Sequence, residues 1–206
     1  MDEMQFSYEL KIPKDRIAVL IGKSGEIKKM IEEETHAKIF IDSKEGDVHI
    51  SGDDSLGLFS AREIIKAVGR GFSPEIALHI LKSDYSLELL SISDYVGKSK
   101  DVAHRLKARV IGSEGKTRRY IEETTETNLS IYGKTIGIIG EAENVMLARR
   151  AIESLLAGAT HASVYKWLEK KKKDLERNKV LGLSAFELKE RKETEEKGED
   201  DDTETE

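Results

Sequence analysis

The sequence predicts an α+β chain holding two copies of one unit, each with the order β-α-α-β-β-α. Three observations carry this. The phrase Ile21-Gly22-Lys23-Ser24-Gly25 is answered ninety residues later by Ile111-Gly112-Ser113-Glu114-Gly115. Each phrase is followed at the same distance by Ile-Glu-Glu (Ile31–Glu33, Ile121–Glu123), a Thr (Thr35, Thr125) and an apolar-x-apolar pair (Ile39/Ile41, Leu129/Ile131). Segments 16–41 and 106–131 align without a gap and share nine identities in 26 positions. A repeat at this spacing marks a duplicated structural unit.

The elements follow from local pattern. Phe6, Tyr8, Leu10 and Ile12 alternate with polar residues, which predicts a half-buried strand ended by Pro13. A helix is expected over 14–21, stopped by Gly22, and a second from Gly25, with Ile27, Met30 and Ile31 on one face. Strands are expected at 37–41 and 48–50, with a turn at 44–47. Asp53 or Asp54 can cap a helix carrying Leu58, Ala61, Ile65 and Val68 at helical spacing. Ser73-Pro74-Glu75 opens a short linker helix. The second unit repeats the order. Tyr85, Leu87 and Leu89 alternate in a strand, then come helices at 99–111 and 116–126. Strands at 127–132 and 134–139 are joined by Gly133, and a helix begins near Glu141. Thr160 or His161 starts a further helix with Val164, Trp167, Leu168 and Leu175. The first domain with its linker helix is placed at 1–82, the second with its helical extension at 83–180, and a charged, mostly disordered tail at 181–206.

Charge narrows the function. The chain carries a formal net charge of -6, but residues 193–206 alone hold nine acids and one Lys. The remainder is positive, most strongly at 11–29 and 98–119, the two windows that contain the glycine turns. Local field matters more than the total for steering a charged partner. No apolar run reaches the ~18 residues a membrane span needs, and the acidic start, Met1-Asp2-Glu3-Met4, is unlike a signal peptide. The absence of Cys excludes thiolate metal sites and fits a reducing cytoplasm. A bias toward Lys and Glu, with one Gln and three Asn, resembles a hyperthermophile composition.

Two glycines flanking a turn remove two Cβ atoms and let backbone meet backbone. The helix that follows offers free N–H groups and a partial positive charge to a phosphate. Lys23, Lys28, Lys29, Lys116, Arg118 and Arg119 add attraction. Ile39, Ile41, Leu129 and Ile131 are expected to form an opposite wall, against which bases press and whose main-chain groups they meet. The reading therefore assigns nucleic-acid contact to Ile21, Gly22, Lys23, Ser24, Gly25, Lys28, Lys29, Ile39 and Ile41. In the second copy it assigns Ile111, Gly112, Ser113, Glu114, Gly115, Lys116, Arg118, Arg119, Leu129 and Ile131.

The phrase Ile-Gly-x-x-Gly with Ile-Glu-Glu-x-Thr, a strand, a turn, a strand and a helix resembles the type I KH domain, over roughly residues 4–157. The resemblance implies a clamp for about four single-stranded nucleotides at each loop. One feature departs from the usual pattern: a base, Lys28 or Arg118, stands three positions after the second Gly, where an apolar residue is usual. Gly115-Lys116-Thr117-Arg118, Ile138-Ile139-Gly140, Ala148-Arg149-x-Ala151-Ile152 and Val164-Tyr165 are similar to the archaeal ribosome-assembly branch, the Dim-two/Krr-one-like group of partner of Nob. That implies a non-catalytic protein without cofactor or metal that binds the 3′ region of 16S rRNA or its precursor. Its expected partners are an rRNA-processing nuclease or another assembly or translation factor. The alternative is a KH-type RNA-binding or protein-docking adaptor in an RNA decay or translation complex.

Other motifs carry less. Gly22-Lys23-Ser24 mimics the end of an ATPase phosphate loop, but position 17 is Ile where that loop needs Gly. The five His (36, 49, 79, 104, 161) have no metal-ligand spacing. The Glu32/Glu33 and Glu122/Glu123 pairs read as solvated helix faces. Glu114 faces either phosphate or solvent. Tyr165 and Trp167 read as packing residues that could also stack on a base. Lys170–Lys173 is either a solvated face or a backbone contact.

Overall fold

The computed structural model describes residues 6–96 and 100–180, with side chains for 6–96 and 101–177. The predicted tail lies outside these residues. The chain divides into two compact units, one up to Val164 and one from Tyr165. Both sheets lie in the first unit.

The first half runs β1 (Phe6–Lys11), α1 (Lys14–Ile21), α2 (Glu26–Thr35), β2 (Lys38–Ile41), β3 (Asp47–Gly52) and α3 (Ser55–Gly69). A short helix α4 (Pro74–Ala77) and a 3-10 turn (Leu78–Leu81) lead onward. The second half runs β4 (Tyr85–Ser91), α5 (Lys100–Ile111), α6 (Lys116–Thr125), β5 (Asn128–Tyr132), β6 (Thr135–Glu141) and α7 (Ala142–Leu156), followed by α8 (His161–Val180). The order is the one the sequence predicts in both halves. Boundaries move by a residue or two, and β3 takes in Asp47, which pattern alone put in the turn. A 3-10 turn at Ile92–Asp94 has no counterpart in the expectation.

Each half holds an antiparallel three-stranded sheet, with order β1-β3-β2 in one and β4-β6-β5 in the other. The late strand lies in the middle, so β2 and β5 are edges. Register sets which side chains share a face. Tyr8, Ile50 and Ile39 stand side by side, as do Leu10, Val48 and Ile41. Val48 and Ile50 are fully buried under the helices. α3 starts where Asp54 accepts the N–H groups of Leu56 (3.0 Å) and Gly57 (3.1 Å), which resolves the choice of cap. Its buried stripe, Leu58, Ala61, Ile64, Ile65 and Val68, covers the sheet. Burial of each large aliphatic side chain contributes about 1.5–3 kcal/mol.

One arginine closes the end of α3 and another the end of α7. Arg16 donates through Nε to Val68 O (2.8 Å) and through Nη2 to Phe72 O (2.6 Å). Arg109 donates in the same way to Leu155 O (3.2 Å) and Ala159 O (2.5 Å). Each arginine thereby joins a helix end to the loop after it: Val68 O and Leu155 O also accept the N–H groups of Gly71 and Gly158 (both 3.1 Å), while Phe72 and Ala159 lie beyond the helices.

The halves share a core. Ile139 of β6 joins the buried cluster of the first half, and Tyr85 and Leu87 of β4 pack against it. Phe72 sits over Gly137, where an added Cβ would come within 2.6 Å of its ring. Ser130 Oγ donates to Arg70 O (2.8 Å), and the Tyr132 hydroxyl donates to Asp15 Oδ2 (2.6 Å). In the second unit, Leu168 is buried and Tyr165 and Trp167 are half-buried. Within the lysine run, Lys171 pairs with Asp174 at 3.8 Å. Among the described residues no helix is long and apolar enough to cross a membrane.

Candidate nucleic-acid interface

The two glycine turns have the same backbone. Gly22 has φ +73° and Gly112 has φ +74°; each ends a helix, donating to Ala18 O (3.0 Å) or Ala108 O (2.8 Å). A single 3-10 turn follows, with Gly25 N–H on Gly22 O and Gly115 N–H on Gly112 O, both at 3.3 Å. Ser24 (φ 53°, ψ 23°) and Glu114 (φ 52°, ψ 26°) occupy the left-handed region. A non-glycine residue there costs of order 1 kcal/mol or more. Both copies accept that strain at the same point of the loop.

The paired glycines do different things. A Cβ on Gly22 would lie 2.9 Å from the Ile27 nitrogen, and one on Gly112 would lie 2.7 Å from the Thr117 nitrogen. The first glycine therefore lets the turn pack on the next helix. A Cβ on Gly25 or Gly115 would meet nothing within 4 Å. The second glycine leaves bare backbone facing open space, which another chain can approach. No side chain caps the N-terminus of α2 or α6. Their first N–H groups stay available to an anion.

The basic residues sort into free and engaged. Lys23, Lys29 and Lys116 are exposed and have no ion pair among the described residues. Lys28 Nζ stands 3.6 Å from Glu32 Oε1, and Arg118 Nη2 stands 3.2 Å from Glu122 Oε1. Arg119 donates to Glu114 O at 2.9 Å. Arg16 and Arg109, both in the positive windows, are spent on helix ends. Glu114 is exposed and points to solvent. Ser24 and Ser113 are exposed, and Ile21 and Ile111 are half-buried beneath the turns.

The opposite wall differs from expectation at two of its four residues. Ile39 and Leu129 are 3% and 2% exposed, so their side chains belong to the core and cannot meet a base. Their place in the alternation decides this: they pair with Ile50 and Ile138 on the helix-covered face. Ile41 and Ile131, nearer the strand ends, stay partly open. What Ile39 and Leu129 offer is backbone. Ile39 N–H donates to Glu32 Oε1 (2.7 Å) and Leu129 N–H to Glu122 Oε1 (2.8 Å). Asp42 N–H turns instead to Asp47 O (2.8 Å). By period two, the main-chain groups of Ile39 and Ile41 face the open edge.

Glu32 and Glu122 are thus not a solvated face. Each ties α2 or α6 to the adjoining strand edge, and each is in turn paired with the base one helical turn earlier. This accounts for Lys28 and Arg118 standing where an apolar residue is usual. The signal was present in the sequence as a Lys/Arg…Glu spacing of four, repeated in both copies. Among the described residues, no three His, Asp or Glu side chains converge to hold a metal.

Comparison with known proteins agrees with this geometry. Residues 7–67 match the family described as KH domain, and residues 86–173 match the eukaryotic type KH-domain (KH-domain type I). KH domain-containing protein MJ0443 of Methanocaldococcus jannaschii is 50% identical over 172 residues, covering 82% of this chain and 75% of that protein. The crystal structure of an a/eIF2alpha-aDim2p-rRNA complex from Pyrococcus horikoshii OT3 contains a chain 44% identical, with a TM-score of 0.78, covering 84% of this chain and 97% of that one. More distant is RNA-binding protein pno-1 of Caenorhabditis briggsae, 32% identical over 55% of this chain and 42% of that protein. Pre-rRNA-processing protein PNO1 of Chaetomium thermophilum is 31% identical over 50% of this chain and 40% of that protein. The chain spans less than half the length of these two eukaryotic relatives. With two KH domains in tandem and 50% identity to an archaeal relative over 172 aligned residues, most of both chains, it belongs to the Dim2/PNO1 family of KH proteins.

Proposed function

We propose that this chain is a non-catalytic, cytoplasmic RNA-binding protein of small-subunit rRNA processing. Its target is the unpaired 3′ region of 16S rRNA or its precursor, held by the two Gly-x-x-Gly loops. The duplicated turn carries the proposal: bare backbone at Gly25 and Gly115, uncapped helix N-termini behind it, and Lys23, Lys29 and Lys116 beside it. The domains 1–82 and 83–180 each supply one clamp. The relatives support the context, because the Pyrococcus protein is found with rRNA and a/eIF2alpha and the Chaetomium protein is named for pre-rRNA processing. An rRNA-processing nuclease or another assembly or translation factor is the proposed protein partner.

The test is a titration of an 11–12-nucleotide strand of the 16S 3′ end, its two halves, and a scrambled strand. The full strand is expected to bind tens- to hundreds-fold more tightly than either half, because the second contact is made at high effective concentration. The slope of log K against log salt should be roughly -3 to -4 if about four to six phosphates are neutralised. Equal affinity for the strand and its better half would leave one clamp only. Affinity independent of salt would remove the phosphate contacts altogether.

A further inference from the structure

Glu32 and Glu122 stand at equivalent positions on α2 and α6, and each commits only one oxygen. Oε1 of Glu32 accepts the Ile39 N–H at 2.7 Å and lies 3.6 Å from Lys28 Nζ. Oε1 of Glu122 accepts the Leu129 N–H at 2.8 Å and the Arg118 guanidinium at 3.2 Å. Oε2 takes no hydrogen bond or ion pair in either copy among the described residues. Neither Oε2 is among the buried unpartnered polar atoms, and the side chains are 26% and 19% exposed. A carboxylate oxygen therefore stands open beside a strand edge in both halves. The adjacent Lys28 or Arg118 balances its charge, so it repels a nearby phosphate less.

A free acceptor at a base-contacting edge discriminates. Cytosine and adenine carry an exocyclic amino donor, at N4 and N6, where uracil carries the O4 acceptor. Opposing a carboxylate oxygen to a carbonyl oxygen leaves both without a donor, whereas an amino group gives a charge-assisted bond. We infer that Glu32 and Glu122 set the base preference of the two grooves: Oε2 accepts from an amino-bearing base laid against β2 or β5, and uracil is disfavoured there. The inference rests on the single-stranded RNA reading above. The competing account is mechanical, with Glu serving only to fasten the strand edge through Oε1.

Substitution by Gln separates the two accounts. Gln keeps an oxygen for the Ile39 or Leu129 N–H and replaces the free acceptor by an amide donor. The experiment measures binding of the full chain to oligocytidylate, oligoadenylate and oligouridylate dodecamers by fluorescence anisotropy at one salt concentration. Wild type is expected to prefer the first two over oligouridylate by about tenfold, the scale of one charge-assisted hydrogen bond. In Glu32→Gln/Glu122→Gln the preference should fall to about twofold or turn toward oligouridylate. The exposed neighbours provide the control, since Glu33→Gln/Glu123→Gln removes the same charge and should leave the preference intact. The readout is a ratio within one preparation, so an unfolded fraction cancels. Wild type binding all three equally, or a preference that survives the Glu32→Gln/Glu122→Gln change, overturns the inference and leaves RNA binding standing. No binding to any of the three overturns the RNA reading itself, and the inference with it.

Discussion

The outer faces of the two sheets are built from equivalent positions and have opposite character. In the first sheet that face carries Ser7, Glu9, His49 and Ser51, with a Glu9–His49 contact at 3.2 Å and Phe40 exposed beside them. In the second sheet the matching positions are Leu87, Leu89, Gly137 and Ile139. β6 is consequently buried from Ile136 to Gly140, whereas β3 alternates. The same strand order thus supports two uses: one sheet turns its back to water, and the other serves as the floor on which Phe72 and the linker helix pack. The inward faces show a matched exchange. Arg62 lies 5.2 Å over the Tyr8 ring, and the equivalent Arg149 pairs with Glu88.

The largest effect should come from the floor. Ile139→Ala, at a fully buried site, is expected to cost about 2–5 kcal/mol. Ser51→Ala, its counterpart, should shift stability by less than ~0.5 kcal/mol. Urea denaturation of the two variants checks this, and similar losses would mean that the sheets are not used differently.

The turns should behave alike where the sheets do not. Ser113→Asp in one copy, and Lys23→Asp with Ser24→Asp in the other, place acid at bare backbone while leaving the glycines. Each is expected to lose about 1–3 kcal/mol of RNA affinity, read by titration, with melting nearly unchanged. Loss in only one copy would extend the asymmetry of the sheets to the binding faces.

The two arginine caps sharpen the comparison further. Arg16→Ala and Arg109→Ala each remove two hydrogen bonds that join a helix end to its following loop and should cost about 1–2 kcal/mol of stability. Lys at either position should recover little, because it lacks the fork that reaches both acceptors. A loss of RNA affinity without a loss of stability would return these residues to the phosphate-facing set.

The smallest effect is expected at the Tyr132–Asp15 contact. The hydrogen bond to Asp15, then desolvation, raises the Tyr132 phenol above its ordinary value. A raised phenol favours the neutral form. Its contribution is therefore complete below the ordinary value of about 10 and is lost as pH rises through the raised one. Tyr132→Phe should melt slightly lower than wild type at pH 8, and the difference should vanish in strongly alkaline buffer. A difference independent of pH would assign the effect to packing.

Much of this was legible in the chain itself. The fold order came from a gapless repeat, from alternation in Phe6–Lys11, and from glycines ending helices. Even the contrast between the sheets is written in β3 and β6: Val48-His49-Ile50-Ser51 alternates, while Ile136-Gly137-Ile138-Ile139 runs unbroken, as strands covered on both faces do. The site was legible in part. The turns and their cations fall where the repeat put them, but Ile39 and Leu129 went to the core. Alternation gives the face of a residue without saying how far a covering helix extends along it.

The sequence by itself determined two KH units, their element order and the two glycine turns, because these depend on spacing and on local backbone preference. Only the tertiary structure decided which charges are free. Arg16 and Arg109 sit in positive windows, and no local rule separates them from Lys23, Lys29 and Lys116. Their carbonyl partners belong to other elements, up to 56 residues away for Arg16. The tertiary structure also decided that Glu32 and Glu122 hold a strand edge. The helix and the strand meet only when the chain closes over its core, and the carboxylate there is the nearest acceptor for an N–H that the sheet leaves unpaired.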